Sequence, residues 1–183
     1  ATYDDYDGEY FSIQALRMYH EMCNTDDVEY VVIDNNPTSN SGKTTKEFIT
    51  NALRGNGKYI KETEQVSSFN KYKVAEHATG KYVIIIDCHV LLVQNSISKL
   101  LDYYADNRNC KDLIQGPLVY DDLENISTHF DPQWRGHMYG TWATDHKKYG
   151  RQQPFEIQLQ GMGACSFERR NWPKISQHFK GFG

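Results

Sequence analysis

Two short apolar runs, each ended by an aspartate, constrain the fold of this chain more than any other feature. Val28–Ile33 and Tyr82–Ile86 are rich in β-branched residues and lead directly into Asp34 and Asp87. Stretches with helical spacing alternate with such runs, which predicts an α/β domain with a largely parallel sheet. In such sheets ligands bind at the carboxyl ends of the strands. The two aspartates therefore predict a binding site, although an aspartate at this position also commonly caps a turn.

The other predicted elements follow from periodicity and turn residues. Apolar spacing predicts four longer helices and one short one: Tyr10–Met22, Thr44–Leu53, Asn70–Ala78, Ser96–Tyr104 and Trp172–Phe179. Three further strands are predicted at Lys58–Lys61, at Leu113–Tyr120 with an interruption by Gly116 and Pro117, and at Phe155–Leu159. The acidic opening, residues 2–8, reads as a loop, and residues 121–153 receive no assignment. Three aromatic side chains are expected in the core: Phe11, Tyr19 and Tyr104.

Length and composition narrow the class of protein. The chain has 183 residues, which predicts one domain, and it carries a net charge of −4. The pI of about 6.0 argues against non-specific nucleic-acid binding, which depends on an excess of basic residues. No apolar run approaches the ~20 residues of a transmembrane helix. The four cysteines form no C-x-x-C pair, which excludes the usual zinc ribbon and the thioredoxin motif and predicts a reducing, cytoplasmic compartment.

A possible phosphate-binding loop lies between the first predicted strand and the next helix. Asn40–Thr44 (Asn-Ser-Gly-Lys-Thr) matches the end of the P-loop motif G-x-x-x-x-G-K-[ST]. The first glycine of that motif falls on Pro37, which fixes the backbone and removes an amide donor. The alternative is a turn-rich connection in which Thr44 caps the helix.

The segment Asp87-Cys88-His89 ends the strongest predicted strand. If the strand geometry continues, Asp87 and His89 share one face and Cys88 turns inward. A carboxylate and an imidazole suit Mn²⁺ or Mg²⁺ better than Ca²⁺, which prefers oxygen ligands alone. Two protein ligands make an incomplete site, which a diphosphate would complete. The alternative is that His89 is a hydrogen-bonded histidine at a strand end without a metal.

These segments together resemble the GT-A glycosyltransferases, most closely the family 2 group. Val28–Asn35 resembles the second strand of that fold, and Ala78–His89 resembles its helix, glycine, strand and D-x-D signature. Here the signature is D-x-H, a variant typical of polypeptide N-acetylgalactosaminyltransferases. Pro154–Ala164, together with Trp172 and Phe179–Gly183, resembles the part of these enzymes that lines the sugar and acceptor side.

The resemblance implies a fold and an activity. The fold would be a Rossmann-like GT-A domain over residues 1–183, with a mixed, mostly parallel sheet flanked by helices and truncated at both ends. Residues 1–92 would bind the nucleotide, and residues 93–183 would bind the sugar and acceptor. The chain would transfer a hexosyl or N-acetylhexosaminyl group from a UDP-sugar, or another nucleotide-diphosphate sugar, to an acceptor hydroxyl of a glycan, lipid or protein. The alternatives are a P-loop-type nucleotide-binding protein and an inactive nucleotide-sugar-binding fragment.

The resemblance also implies roles for individual residues. Asp87 and His89 would hold Mn²⁺ or Mg²⁺. The nucleotide would be bound by a set drawn from four segments: Thr2, Tyr3, Asp4, Asp34, Asn70, Lys71, Lys73, Asp87 and Cys88. The sugar and acceptor would contact Gln160, Gly161, Met162 and Gly163. Apart from the resemblance, the aromatic face of Trp134 in the unassigned stretch is a candidate acceptor platform or, alternatively, part of the core. The catalytic base is expected beyond Gly183, with Glu156 as a weaker candidate.

Overall fold

The protein is described by a computed structural model that covers residues 1–53, 55–64, 70–151 and 153–174. The helices within these ranges are α1 (Tyr6–Tyr19), α2 (Asn40–Ala52), α3 (Asn70–His77) and α4 (Ser96–Asp106), with short 3₁₀ segments at Glu21–Asn24 and Arg169–Asn171. The strands are β1 (Tyr30–Asp34), β2 (Gly57–Lys61), β3 (Tyr82–Ile86), β4 (Ile114–Gln115), β5 (Leu118–Val119), β6 (Ile126–Ser127), β7 (His129–Arg135), β8 (Met138–Ala143) and β9 (Ala164–Glu168).

The first half of the chain contains a β-α-β unit. Strands β1 and β2 pair in parallel and are joined by α2, which supplies the crossover that parallel strands require. Thr2 also forms an isolated parallel bridge with Asp34, the last residue of β1. The apolar faces of α1, β1 and α2 meet in a buried cluster that includes Ile13, Val32 and Ile49. This packing fixes the position at which β1 ends.

A second sheet is antiparallel throughout. Its strand order is β3-β9-β4, and Ile85 of β3 lies opposite Cys165 of β9. Behind it α3 contributes Ala75 to a buried cluster with Ile85 and Phe167, and the Trp172 ring stacks on the Phe167 ring at 4.1 Å between centroids. The carboxyl end of β3 is therefore held between α3 and the start of β9.

A long hairpin projects from the segment that the sequence left unassigned. Strands β7 and β8 pair antiparallel, with an irregularity between Asp131 and Trp134. At the base of the hairpin, Phe130 forms a bridge with Leu159 and its ring packs on Trp142 at 3.9 Å. The hairpin thus joins the body of the protein through the residues that precede β9.

Two predictions about the sheet were wrong. The mostly parallel sheet is not found, since β1 and β2 form a parallel pair and every other pair of named strands in the described ranges is antiparallel. Alternation with helices implied parallel strands, but after α4 the chain connects its strands by loops, which allow them to reverse direction. Phe155–Leu159 is not a strand and makes one bridge, at Leu159.

The four longer helices form where they were predicted: α3 and α4 begin at the predicted residues, whereas α1 and α2 begin at Tyr6 and Asn40 rather than at Tyr10 and Thr44. Helix α1 begins at Tyr6 because Asp5 caps it, accepting a hydrogen bond from the Gly8 amide at 2.9 Å. Of the aromatic side chains expected in the core, Tyr104 is buried, whereas Phe11 and Tyr19 are exposed. The predicted helix at the end of the chain falls mostly outside the described residues. Within the part of the chain that the structure describes, no helix combines the length and the apolar surface needed to cross a bilayer.

Candidate functional site

The chain turns sharply where β3 ends. The Asp87 amide donates to the Gly163 carbonyl at 2.8 Å, and the Val90 amide donates back to the Asp87 carbonyl at 3.1 Å. Strand geometry therefore stops at Asp87, and the expectation that Asp87 and His89 share a face through strand alternation was wrong. A turn, rather than a pleat, sets the directions of their side chains.

The carboxylate of Asp87 lies against a lysine of α3. The Lys71 ammonium is 2.6 Å from Asp87 Oδ1 and donates to the Met162 carbonyl at 3.0 Å. A Cβ added to Gly163 would lie 3.5 Å from Asp87 Oδ2, so this glycine also borders the carboxylate. The fold thus brings together four residues from three distant segments that the sequence predicted as site residues.

Next to this group, Cys88 and His89 meet an aspartate from the other end of the chain. The Cys88 thiol donates to Asp5 Oδ2 at 3.0 Å. Asp5, Cys88 and His89 each offer one possible metal-ligand atom, and these atoms lie within 4.8 Å of one another. The Ser12 hydroxyl donates to the Cys88 carbonyl at 2.7 Å and ties the turn to α1. Asp5 was not predicted as a site residue, because it lies in the loop-like stretch of residues 2–8 and no local pattern links that stretch to β3.

The contact between Cys88 and Asp5 changes the acidity of both groups. Burial, and then the hydrogen bond to the Asp5 carboxylate, raise the pKa of the Cys88 thiol to about 12. The same hydrogen bond, and then the one from the Gly8 amide, lower the pKa of Asp5. Without a bound cation the pair is therefore a neutral thiol beside a carboxylate.

The Asp34 carboxylate is buried and hydrogen-bonded within the protein rather than open to a ligand. Its side chain is 0% exposed, and its two oxygens accept hydrogen bonds from the Asn36 amide at 2.8 Å and the Tyr59 hydroxyl at 2.5 Å. Burial, and then the contact with Asp34, raise the pKa of Tyr59. The carboxylate holds the turn after β1 against β2, so the expected contact with a nucleotide base is not available in this arrangement.

The P-loop alternative does not fit the structure. Helix α2 begins at Asn40, and Ser39 caps it by accepting from the Gly42 amide at 2.9 Å. A Cβ on Gly42 would lie 2.5 Å from the Asn36 carbonyl oxygen, so the preceding loop is folded tightly against the helix. A phosphate cradle would need that space. Thr44 is not the cap either, because it lies inside the helix and donates to the Asn40 carbonyl.

The N-terminal segment borders an acidic cleft. Thr2 is buried and its amide donates to the Ile33 carbonyl at 2.8 Å, whereas Tyr3 is exposed. A cleft of about 260 Å³ lies between the starts of α1 and α2 and is lined by Asp4, Asp5, Tyr6, Asp7, Asn40, Ser41 and Thr44. Asp5 therefore belongs both to this cleft and to the cluster at the β3 turn.

Two other predicted nucleotide residues are already engaged. Asn70 is fully buried at the start of α3. Lys73 forms an ion pair with Glu62. Of the three predicted residues on α3, Lys71 is the one that reaches the end of β3.

The segment before β9 divides into packing and site-facing residues. A Cβ on Gly161 would lie 2.8 Å from the Trp142 ring and 2.9 Å from the Phe130 ring, so this glycine is needed for packing against the hairpin. Met162 packs its side chain on the core. Gln160 has a buried amide nitrogen, and among the described residues no acceptor bonds to it.

The remaining candidates lie on the surface. Trp134 is 73% exposed near the tip of the β7–β8 hairpin and contacts Tyr139 edge to face at 5.1 Å. Glu156 is exposed in the segment after β8. The predicted base beyond Gly183 lies outside the described residues, so no catalytic base is assigned.

Comparison with known proteins gives one match. A family model described as "Glycosyl transferase family 2" matches residues 12–172. This range includes β1, α3, β3 and the whole segment up to Trp172. No curated protein and no solved structure gives a significant match.

Proposed function

The chain belongs to glycosyl transferase family 2, and from this premise we propose that it transfers a sugar from a UDP-sugar to an acceptor hydroxyl with the help of a divalent cation. The family implies a GT-A α/β fold and a nucleotide-sugar donor. The donor base, the cation and the place of the diphosphate are inferred from the site at the carboxyl end of β3.

One observation carries the proposal: the contact of Lys71 with Asp87. A sugar leaving a nucleotide diphosphate leaves two phosphates whose negative charge must be neutralised. Asp87 and the exposed His89 lie on one turn and supply an oxygen and a nitrogen ligand, a donor set that fits Mn²⁺ or Mg²⁺. Bound there, the cation would act as a Lewis acid on the diphosphate. Lys71 would then be free to donate to a phosphate oxygen.

The acidic cleft favours the nucleoside end of the donor. Three carboxylates, Asp4, Asp5 and Asp7, line it. Carboxylates accept hydrogen bonds from ribose hydroxyls and from the N–H of uracil, and they repel phosphates. The nucleoside would therefore lie toward α1 and α2, and the diphosphate toward Lys71.

The sugar and acceptor would lie toward β9 and the hairpin. Gly163 borders Asp87, and Gln160, the residue between the bridge at Leu159 and Gly161, carries a buried amide donor. An amide donor suits a sugar hydroxyl or an N-acetyl carbonyl, in keeping with a hexosyl or N-acetylhexosaminyl donor. The exposed ring of Trp134 offers an apolar face on which an acceptor sugar could stack.

Calorimetric titration of UDP tests the proposal. We expect binding that requires Mn²⁺ and that is lost in the Asp87→Ala, His89→Ala double variant. Lys43→Ala is the matched control, because Lys43 is exposed on α2, and ATP is the competing ligand. ATP binding that depends on Lys43 would overturn the proposal. Release of UDP from UDP-sugars by the full chain then separates an active transferase from a domain that binds without turnover.

A further inference from the structure

We propose that Asp5, Cys88 and His89 form a second cation site, one that contains a thiolate and selects Zn²⁺ over Mn²⁺ and Mg²⁺. The three side chains come from the cap of α1 and from the turn after β3. Their ligand atoms, one carboxylate oxygen, one sulfur and one imidazole nitrogen, lie within 4.8 Å of one another. Nothing in the family match assigns a cation to this set.

The chemistry of the donors favours zinc. Zn²⁺ binds carboxylate, thiolate and imidazole ligands with tetrahedral geometry, whereas Mg²⁺ and Mn²⁺ prefer oxygen-rich sets. When Zn²⁺ binds, the S–H bond of Cys88 breaks, a sulfur–zinc bond forms, and the proton leaves to solvent. Three protein ligands leave the fourth position open for water or a phosphate oxygen.

The geometry requires only a small adjustment. Zinc–ligand bonds of about 2.0–2.3 Å place tetrahedral ligand atoms roughly 3.5 Å apart. Asp5 and Cys88 already approach to 3.0 Å, and the side chain of His89 is exposed and can rotate toward them. The Cys88 backbone is held by the Ser12 hydroxyl, and the Asp5 carboxylate by the Gly8 amide. Two of the three ligands are therefore positioned before a cation arrives.

The site differs from the one proposed for the donor diphosphate. Asp87 is paired with Lys71 and is not a member of the Asp5–Cys88–His89 cluster. His89 is common to both ligand sets, so it can serve one cation at a time. Zinc held by Asp5 and Cys88 would take this imidazole away from the catalytic cation. That consequence, inhibition of transfer by zinc, rests on the proposed function, whereas zinc binding itself does not.

Cobalt provides a direct probe of the sulfur ligand. We expect Co²⁺ added to the protein to give a thiolate charge-transfer band in the near ultraviolet, and we expect Zn²⁺ to displace the cobalt and remove the band. Cys88→Ser should abolish the band and lower zinc affinity by roughly 100-fold, the upper end of the loss seen when even an outer-shell partner of a metal is removed. Asp5→Asn should weaken binding while retaining the cap of α1, because asparagine also caps helices well.

Cys110→Ser is the matched control. Its thiol also lies near a carboxylate, Asp112, at 3.6 Å, but it is not part of a three-ligand cluster among the described residues. This variant should keep the band. A band that survives Cys88→Ser, or one that is lost in Cys110→Ser, would overturn the proposal, as would a cobalt complex without any thiolate band.

Asp87→Asn separates this inference from the proposed function. The variant should lose Mn²⁺-dependent UDP binding and keep the cobalt band. If the wild type binds UDP with Mn²⁺ but shows no thiolate band, the second site is wrong and the transferase proposal stands. If the band is present but UDP does not bind, the transferase proposal is wrong and the second site stands.

Discussion

The ammonium of Lys71 lies 2.6 Å from a carboxylate oxygen of Asp87 and also donates to the Met162 carbonyl at 3.0 Å. The acid at the end of β3 is thus neutralised by a lysine when no cation is bound. A divalent cation that takes Asp87 as a ligand must first displace this ammonium. The displaced ammonium then remains close to the bound cation.

Replacing Lys71 should separate cation binding from nucleotide binding. Lys71→Met removes the ammonium that competes with the cation for Asp87. We therefore expect Mn²⁺ alone to bind several-fold more tightly, a gain of about 1 kcal/mol, which is typical of a partly exposed ion pair. UDP affinity in the presence of Mn²⁺ should fall instead, because the phosphates lose a donor. Titrations of Mn²⁺ and of UDP measure the two effects.

Lys73→Met is the control for that experiment. It lies on the same helix but pairs with Glu62, so both affinities should stay near the wild-type values. Equal losses of UDP affinity in the two lysine variants would mean that general positive charge, rather than the contact with Asp87, matters.

Asp34 should matter for stability rather than for binding. Asp34→Asn weakens the hydrogen bonds to the Tyr59 hydroxyl and the Asn36 amide, and we expect the free energy of unfolding to fall by about 1–3 kcal/mol. Tyr59→Phe removes the hydroxyl that donates to Asp34, so urea denaturation should show a similar loss of unfolding free energy. The two losses should not add in the double variant, because both changes affect the same hydrogen bond. An Asp34→Asn variant of normal stability that has lost most of its UDP affinity would restore the predicted role in nucleotide binding.

Two neighbouring glycines should respond differently to alanine. The added Cβ at Gly161 would come within 2.8 Å of Trp142, so we expect a loss of about 1–3 kcal/mol from overpacking. At Gly163 the nearest atom is Asp87 Oδ2 at 3.5 Å, an ordinary contact, so stability should change little. Because that Cβ lies beside the carboxylate, Gly163→Ala should reduce Mn²⁺-dependent UDP binding. Thermal melts and UDP titrations of both variants check the contrast.

Glu29 should make stability depend on pH in the acid range. Burial alone would raise its pKa, but hydrogen bonds from Lys58, Thr79 and Gly80 lower the pKa of Glu29 to about 2. Because the folded-state value is below the unfolded value of 4.5, this stabilisation is complete above pH 4.5 and is lost as the pH falls toward 2. Glu29→Gln should cost about 1–3 kcal/mol at pH 7 and flatten the acid limb of the curve. An unchanged acid limb, measured by urea denaturation at several pH values, would contradict this.

The site could be predicted from sequence where local pattern decided the structure. Strand β3 was predicted with its observed bounds, Tyr82–Ile86, because a run of β-branched residues between a glycine and an aspartate has few other conformations. Lys71 and Met162 were named as candidates through resemblance to a family, and the structure places Lys71 between the Asp87 carboxylate and the Met162 carbonyl. Their mutual contact could not be predicted, because 91 residues separate them.

The sequence alone determined where the main helices and the strongest strands form, and which family the chain resembles, because periodicity, caps and ordered motifs are local signals. Tertiary structure decided the rest. Whether the strands pair parallel or antiparallel depended on the loops that connect them after α4. Whether Asp34 faces a ligand or Tyr59, and whether Cys88 turns inward or toward Asp5, depended on packing between segments distant in sequence. Burial and hydrogen bonding between such segments give an identical residue type a structural role at β1 and a candidate functional role at β3.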